Sequence, residues 1–149
     1  MSNAWWAYGS DFKIGDDGTA ELFTTVAEVI DISGPSMSRD VIDVTSQDST
    51  NGWREFIPGF RDGGEVSITA NWIPVSATQD GTSGILSKFT DNVLHNFQIV
   101  TADDGSSGTM DIDFAGIVTQ FSPSMPLTEQ GKLDFTIKVS GAVTIAAST

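Results

Sequence analysis

Apolar residues recur at every second position in three separate stretches, and that period limits what the chain can fold into. Val66, Ile68, Ala70 and Trp72 alternate with Ser67, Thr69, Asn71 and Ile73. Met110, Ile112 and Phe114 alternate with Asp111 and Asp113, and Leu133, Phe135, Ile137 and Val139 with Asp134, Thr136, Lys138 and Ser140. Successive side chains of a strand point to opposite faces, so each stretch has one face for a core and one for solvent. Antiparallel sheets carry this pattern, whereas strands of a parallel sheet, covered on both faces, read as continuous apolar runs. Further strands are predicted over residues 21–32, 39–45 and 96–101. The expected fold is mainly β, with antiparallel pairing.

Turn chemistry separates these stretches. Asp16-Asp17-Gly18, Asp62-Gly63-Gly64 and Asp103-Asp104-Gly105 each place an Asp that can cap the backbone beside a Gly that can supply positive φ. The third lies between two strand patterns, so Phe97 to Phe114 reads as a hairpin. Ile85, Leu86, Phe89, Val93 and Leu94 fall at helical spacing and predict one helix of about ten residues, with Thr82 or Ser83 as its N-cap. A helix that short needs a sheet to pack on, so its apolar stripe is expected to face the core.

Residues 46–64 fit no regular strand. They carry Trp53, Phe56, Ile57 and Phe60 among polar residues. Long structureless loops are uncommon in compact domains, and this one is too aromatic for disorder. Either it folds back on its own core or it is buried against a partner.

Composition narrows the function. A chain of 149 residues is expected to form one domain, residues 1–149, and it has no cysteine, which excludes disulfides, thiolate metal sites and cysteine catalysis. Twenty acidic residues against seven basic ones give a net charge of −13. The cations, Lys13, Arg39, Arg54, Arg61, Lys88, Lys132 and Lys138, form no stripe in the sequence that would neutralise phosphates, so ordinary nucleic-acid binding is not expected. No stretch approaches the roughly 18 apolar residues of a membrane span, and the first ten residues lack the features of a signal peptide.

Catalytic material is sparse. His95 is the single histidine, placed at the end of the predicted helix, and no Gly-x-Ser-x-Gly elbow accompanies it. A histidine there is expected to meet the helix dipole or solvent. Asp111 and Asp113 project from one strand face, a geometry open to glycosidase or calcium chemistry but lacking the Asp ladder of a calcium loop. A solvated strand face accounts for them. Phosphate loops, dinucleotide fingerprints and zinc spacings are missing from the sequence, so no enzyme activity and no cofactor are expected.

From Arg54 to Asn71 the chain reads Arg-Glu-Phe-Ile-Pro-Gly-Phe-Arg-Asp-Gly-Gly-Glu-Val-Ser-Ile-Thr-Ala-Asn. This resembles the central motif of the tail tube proteins, or major tail proteins, of long-tailed bacteriophages. Gly9-Ser10 with Phe12, Lys13 and Ile14 resembles the family's opening. Residues 29–35 resemble its first strand and turn, residues 40–45 its second strand, and residues 135–141 its closing strand.

The resemblance implies a small β-sandwich or open barrel flanked by one helix. Six subunits would form a ring, strands of all six would close an inner barrel, and rings would stack through a long loop into a tube that conducts DNA. It implies a structural virion protein whose partners are other copies of itself, other tail proteins and DNA that passes without binding. Gene-transfer agents, tailocins and secretion tubes share the fold, so a tail terminator or baseplate component is the alternative, and a monomeric binding module a more distant one. The extra C-terminal immunoglobulin-like domain that some members carry is not expected here. On this reading the ring-stacking loop carries Trp53, Arg54, Glu55, Phe56, Phe60 and Arg61. The polar strand faces carrying Glu65, Ser67, Thr69, Asn71, Asp111 and Asp113 line the channel.

Overall fold

The structure is a computed structural model and describes residue 2 and residues 4–106 and 108–148. Nine strands and one short helix follow in the order β1 (Asp11–Gly15), β2 (Phe23–Thr25), β3 (Val29–Ser33), β4 (Ser38–Asp43), β5 (Phe56–Asp62), β6 (Glu65–Asn71), α1 (Ile85–Thr90), β7 (His95–Val100), β8 (Met110–Ser124) and β9 (Lys132–Ala147). Seven of them form one antiparallel sheet in the order β2-β1-β7-β8-β9-β6-β3, and β4 and β5 pair as a separate two-stranded ribbon. The sheet curls without closing, so β2 and β3 remain as its edges.

The period-two reading agrees with burial over Val66–Ala70 and Leu133–Val139, whereas Trp72, Met110 and Ile112 are only half-buried and burial does not alternate over residues 110–113. Val66, Ile68, Ala70, Phe97, Ile99, Phe114, Leu133, Phe135, Ile137 and Val139 all lie in the core. Phe97 sits directly opposite Phe114, as the hairpin reading required. Phe12 on β1 joins this layer, with its ring 5.8 Å from Phe97 and 5.7 Å from Phe135. Pairs at these separations add to the burial of the rings themselves.

Other expectations are corrected. Residues 21–32 form two strands, not one: the chain turns away after Thr25, and Glu28 takes a left-handed φ of 60°. The helix is six residues long and its N-cap is Gly84, not Thr82 or Ser83. No side chain caps it; Asp80 Oδ1 instead orders the turn before the helix, accepting from the amides of Thr82, Ser83 and Gly84 at 3.0–3.1 Å. Only Ile85 of the expected apolar stripe is fully buried, while Phe89, Val93 and Leu94 are exposed. The helix stops at Thr90 and the chain must enter β7 at His95, so the last two positions never reach a helical face. At the Asp16-Asp17-Gly18 turn the positive φ falls on Asp17, at 61°, rather than on the glycine.

His95 is not at a helix end. It opens β7, is buried, and its Nδ1 lies 2.9 Å from Asp17 Oδ2. The same oxygen accepts from buried Lys88 Nζ at 2.7 Å. One carboxylate thus ties the β1–β2 turn to the helix and to β7.

The stretch over residues 46–64 is the largest correction, because β5 lies within it. Pro58 and Gly59 interrupt the strand pattern in the sequence, which hides it. A proline, having no amide hydrogen, is tolerated in a strand with a free edge, and β5 pairs only with β4.

Candidate assembly surface

The β4–β5 ribbon leaves the sheet where β3 ends and β6 begins. Two glycines make this junction possible. Gly34 has φ of +107° and Gly64 φ of +73°, and a Cβ on either would collide with backbone, that of Glu65 and of Ser36 respectively. Ser36 N donates to Glu65 O at 3.2 Å across the same crossing. Asp62 Oδ1 accepts from Gly64 N and from Lys138 Nζ, both at 2.8 Å, and so fastens the base of the ribbon to β9. The Lys138 hydrogen bond, with that of the Gly64 amide, holds the Asp62 carboxyl below the usual carboxylate range.

Beyond its base the ribbon is exposed. Every residue of β4 is exposed, and only Gly59 of β5 is not. Val41 is 70% exposed and Phe60 89%, while Ile42 and Ile57 sit opposite each other with about half their surface in solvent. Apolar side chains this exposed on a paired strand have no intrachain reason to be apolar.

The loop joining β4 to β5 is ordered by its own polar groups. Val44 N donates to Glu55 O at 2.9 Å, Glu55 N to Thr45 Oγ1 at 2.8 Å, and Ser49 Oγ to Glu55 Oε2 at 2.8 Å. A 3₁₀ turn at Thr50–Gly52 then delivers Trp53, which is 75% exposed. The reading in which this loop folds back onto its own core is therefore excluded. Of the six predicted stacking residues, Trp53, Phe56 and Phe60 point to solvent, Glu55 is engaged with Ser49, and Arg54 meets Asp43 at 3.3 Å. Arg61 lies opposite Arg39 across the ribbon.

The six predicted channel residues share one face of the seven-stranded sheet, the face turned away from the core. Glu65, Ser67 and Thr69 alternate with buried Val66, Ile68 and Ala70, and they pair with Lys138, Thr136 and Asp134 of β9. Asp111 and Asp113 lie on the same face of β8, opposite Val100 and Gln98. The groups are tied to their neighbours: Thr69 Oγ1 donates to Asp134 at 2.6 Å, Asn71 to Glu28 at 2.9 Å, and Gln98 to Asp113 at 2.8 Å. Asp111 keeps one buried carboxylate oxygen without a partner. Asp111 and Asp113 do not adjoin the β6 residues, because β9 lies between the two strands.

Sequence reasoning missed two features of this surface. The opposition of Arg39 and Arg61 depends on register, which composition does not carry. The exposed aromatic segment of Trp5, Trp6 and Tyr8, in which the last two rings stack at 4.9 Å, had a visible signal in its run of aromatics. Among the described residues no set of three metal-binding side chains converges, and no helix is long and apolar enough to cross a membrane.

The chain thus presents an open antiparallel sheet with an unpartnered, largely exposed apolar ribbon. The chain belongs to the family described as lambda phage tail tube protein, whose model matches residues 6–146. Solved structures share the fold at low identity. The tail of an empty gene-transfer-agent particle, refined with C6 symmetry, superposes with a TM-score of 0.74 at 20% identity, covering 97% of this chain and 100% of that one. A sheath/tube terminator structure of an extracellular contractile injection system superposes at 0.71 with 13% identity, covering 99% of each chain. The SPP1 tail tube superposes at 0.70 with 10% identity, covering 97% of this chain and 80% of that one. No curated protein matches the chain in sequence.

Proposed function

We propose that this tail tube protein assembles into six-membered rings that stack into the tube of a virion tail, built in the host cytoplasm and used to deliver DNA. The role is structural, without catalysis or cofactor. The observation that carries the reading is the ribbon: a two-stranded element exposed on both sides and capped by Trp53 can bury its apolar groups only against another chain. Trp53, Arg54, Glu55, Phe56, Phe60 and Arg61 form the stacking element. The polar sheet face with Glu65, Ser67, Thr69, Asn71, Asp111 and Asp113 lines the channel, where surplus carboxylate repels phosphate. Other tail proteins set the ends of the tube.

Static light scattering against protein concentration tests this. Mass that grows without a plateau supports a tube subunit; a monomer at every concentration, with or without a tail-tip nucleus, refutes it. The likeness to a terminator structure keeps a second reading open, in which the same ring forms but does not extend. Growth that halts at the mass of one ring favours that reading.

A further inference from the structure

All three arginines of this chain lie on the ribbon and its loop, at positions 39, 54 and 61. Arg54 is neutralised by Asp43. Arg39 and Arg61 are direct cross-strand partners, and neither forms an ion pair among the described residues. Like charges directly opposed on a ribbon destabilise it. Two guanidinium groups held together on an exposed element of an otherwise acidic chain therefore need carboxylates from elsewhere.

A groove of about 750 Å³ offers them. It runs between the N-terminal aromatic segment and the edge strand β3, where the curled sheet fails to close, and no ribbon residue lines it. Trp5 and Tyr8 supply aromatic faces along it, and Asp11 and Asp31 bring carboxylates that hold no hydrogen bond or ion pair among the described residues. Ile30, pushed outward by a β-bulge at the register shift between Val29 and Asp31, adds exposed apolar surface. Aromatic faces beside free carboxylates are what a guanidinium group recognises, by stacking and by paired hydrogen bonds.

We infer that this groove is the acceptor for the Arg39–Arg61 ribbon of a second copy of the chain. The inference rests on the self-assembly reading and adds to it the receiving surface. The contact is heterologous, joining different patches of two identical chains. Such a contact propagates, closing into rings or running on into filaments.

Paired charge reversal tests it. The groove variant Asp11→Lys/Asp31→Lys changes the net charge from −13 to −9, and the ribbon variant Arg39→Glu/Arg61→Glu changes it from −13 to −17. A chain carrying all four substitutions returns to −13. Under conditions in which the wild type polymerises, each two-site variant is expected to lose at least tenfold in sedimentable protein while keeping its circular dichroism and melting temperature. The four-site chain is expected to regain it. Loss in the groove variant cannot be ascribed to repulsion, since that variant is less charged than the wild type. A groove variant that polymerises normally, or a folded four-site chain that stays monomeric, overturns the assignment of the groove and leaves the tube reading intact. A wild type that never polymerises overturns both.

Discussion

Lys138 on β9 donates to Asp62 at the foot of the ribbon over 2.8 Å, a pair that fastens the ribbon's base to the seven-stranded sheet. Both side chains are substantially exposed, so the pair adds little to the stability of the subunit itself. Its effect lies in positioning.

Asp62→Ala is accordingly expected to leave the thermal melting of the monomer nearly unchanged and to raise the concentration at which polymer forms. Analytical sedimentation of the variant beside the wild type measures both. The Asp62 carboxyl is held below its ordinary range, so its link to Lys138 is fully present above the unfolded value near 3.9 and is lost only as pH falls through the lower folded value. A rise in critical concentration specific to the wild type is therefore expected only in that acid range.

Trp53→Ala separates association from folding. With Trp53 mostly in solvent, the variant's folding stability should lie within about 0.5 kcal/mol of the wild type's, as surface changes do. If Trp53 is an interface anchor, truncation costs about 2 kcal/mol per contact, which is roughly a 30-fold rise in critical concentration. Long tubes at the wild-type threshold would remove Trp53 from the interface. The opposite pattern is expected of Phe97→Ala, since Phe97 is fully buried between Phe12 and Phe114; there the subunit should lose about 3–5 kcal/mol.

The Asp17 cluster gives a prediction with a pH sign. Burial pushes the Asp17 carboxyl up, but hydrogen bonds from Lys88 and His95 outweigh it and hold it below the ordinary range. A group depressed in the folded state stabilises above its unfolded value and ceases to do so as pH falls through the folded one. Asp17→Asn should destabilise the fold at neutral pH by about 1–3 kcal/mol, once the partial exposure of Asp17 is discounted from the cost of breaking a buried pair. The gap between variant and wild type should close in acid below that folded value. A gap unchanged across that range would show that the carboxylate charge is not what Lys88 and His95 require.

What the sequence disclosed, and what it hid, follows from which interactions are local. Strands with strict alternation declared themselves, because burial on one face dictates residue type at every second position; Phe135 and Ile137 needed no structure to be placed in the core. β5 was hidden because both of its faces are exposed and Pro58 and Gly59 break its pattern, so no core imposes a period on it. The aromatic content of that segment still marks it as exposed surface in need of cover, and the six residues proposed for stacking lie on it. The shared face of Glu65, Ser67, Thr69, Asn71, Asp111 and Asp113 followed from parity along each strand. Their separation by β9, the opposition of Arg39 and Arg61 and the burial of His95 against Asp17 depend on register and long-range contact, which no local pattern encodes.

The channel assignment has its own test. Asp111→Lys/Asp113→Lys places ammonium groups on the polar face of β8 and should leave the core intact, because neither residue belongs to it. Tubes of this variant are expected to retain DNA at low salt and to release it as salt rises, the signature of counterion release. Variant tubes that retain no DNA at low salt would place these residues outside the lumen.

Negative-stain electron microscopy of the concentrated, purified wild-type chain tests the central claim most directly. The account predicts tubes of uniform diameter and indefinite length, with a regular axial repeat and a stain-filled channel bounded by six subunits per ring. Fields of isolated monomers at every concentration, with or without a tail-tip nucleus, would contradict it.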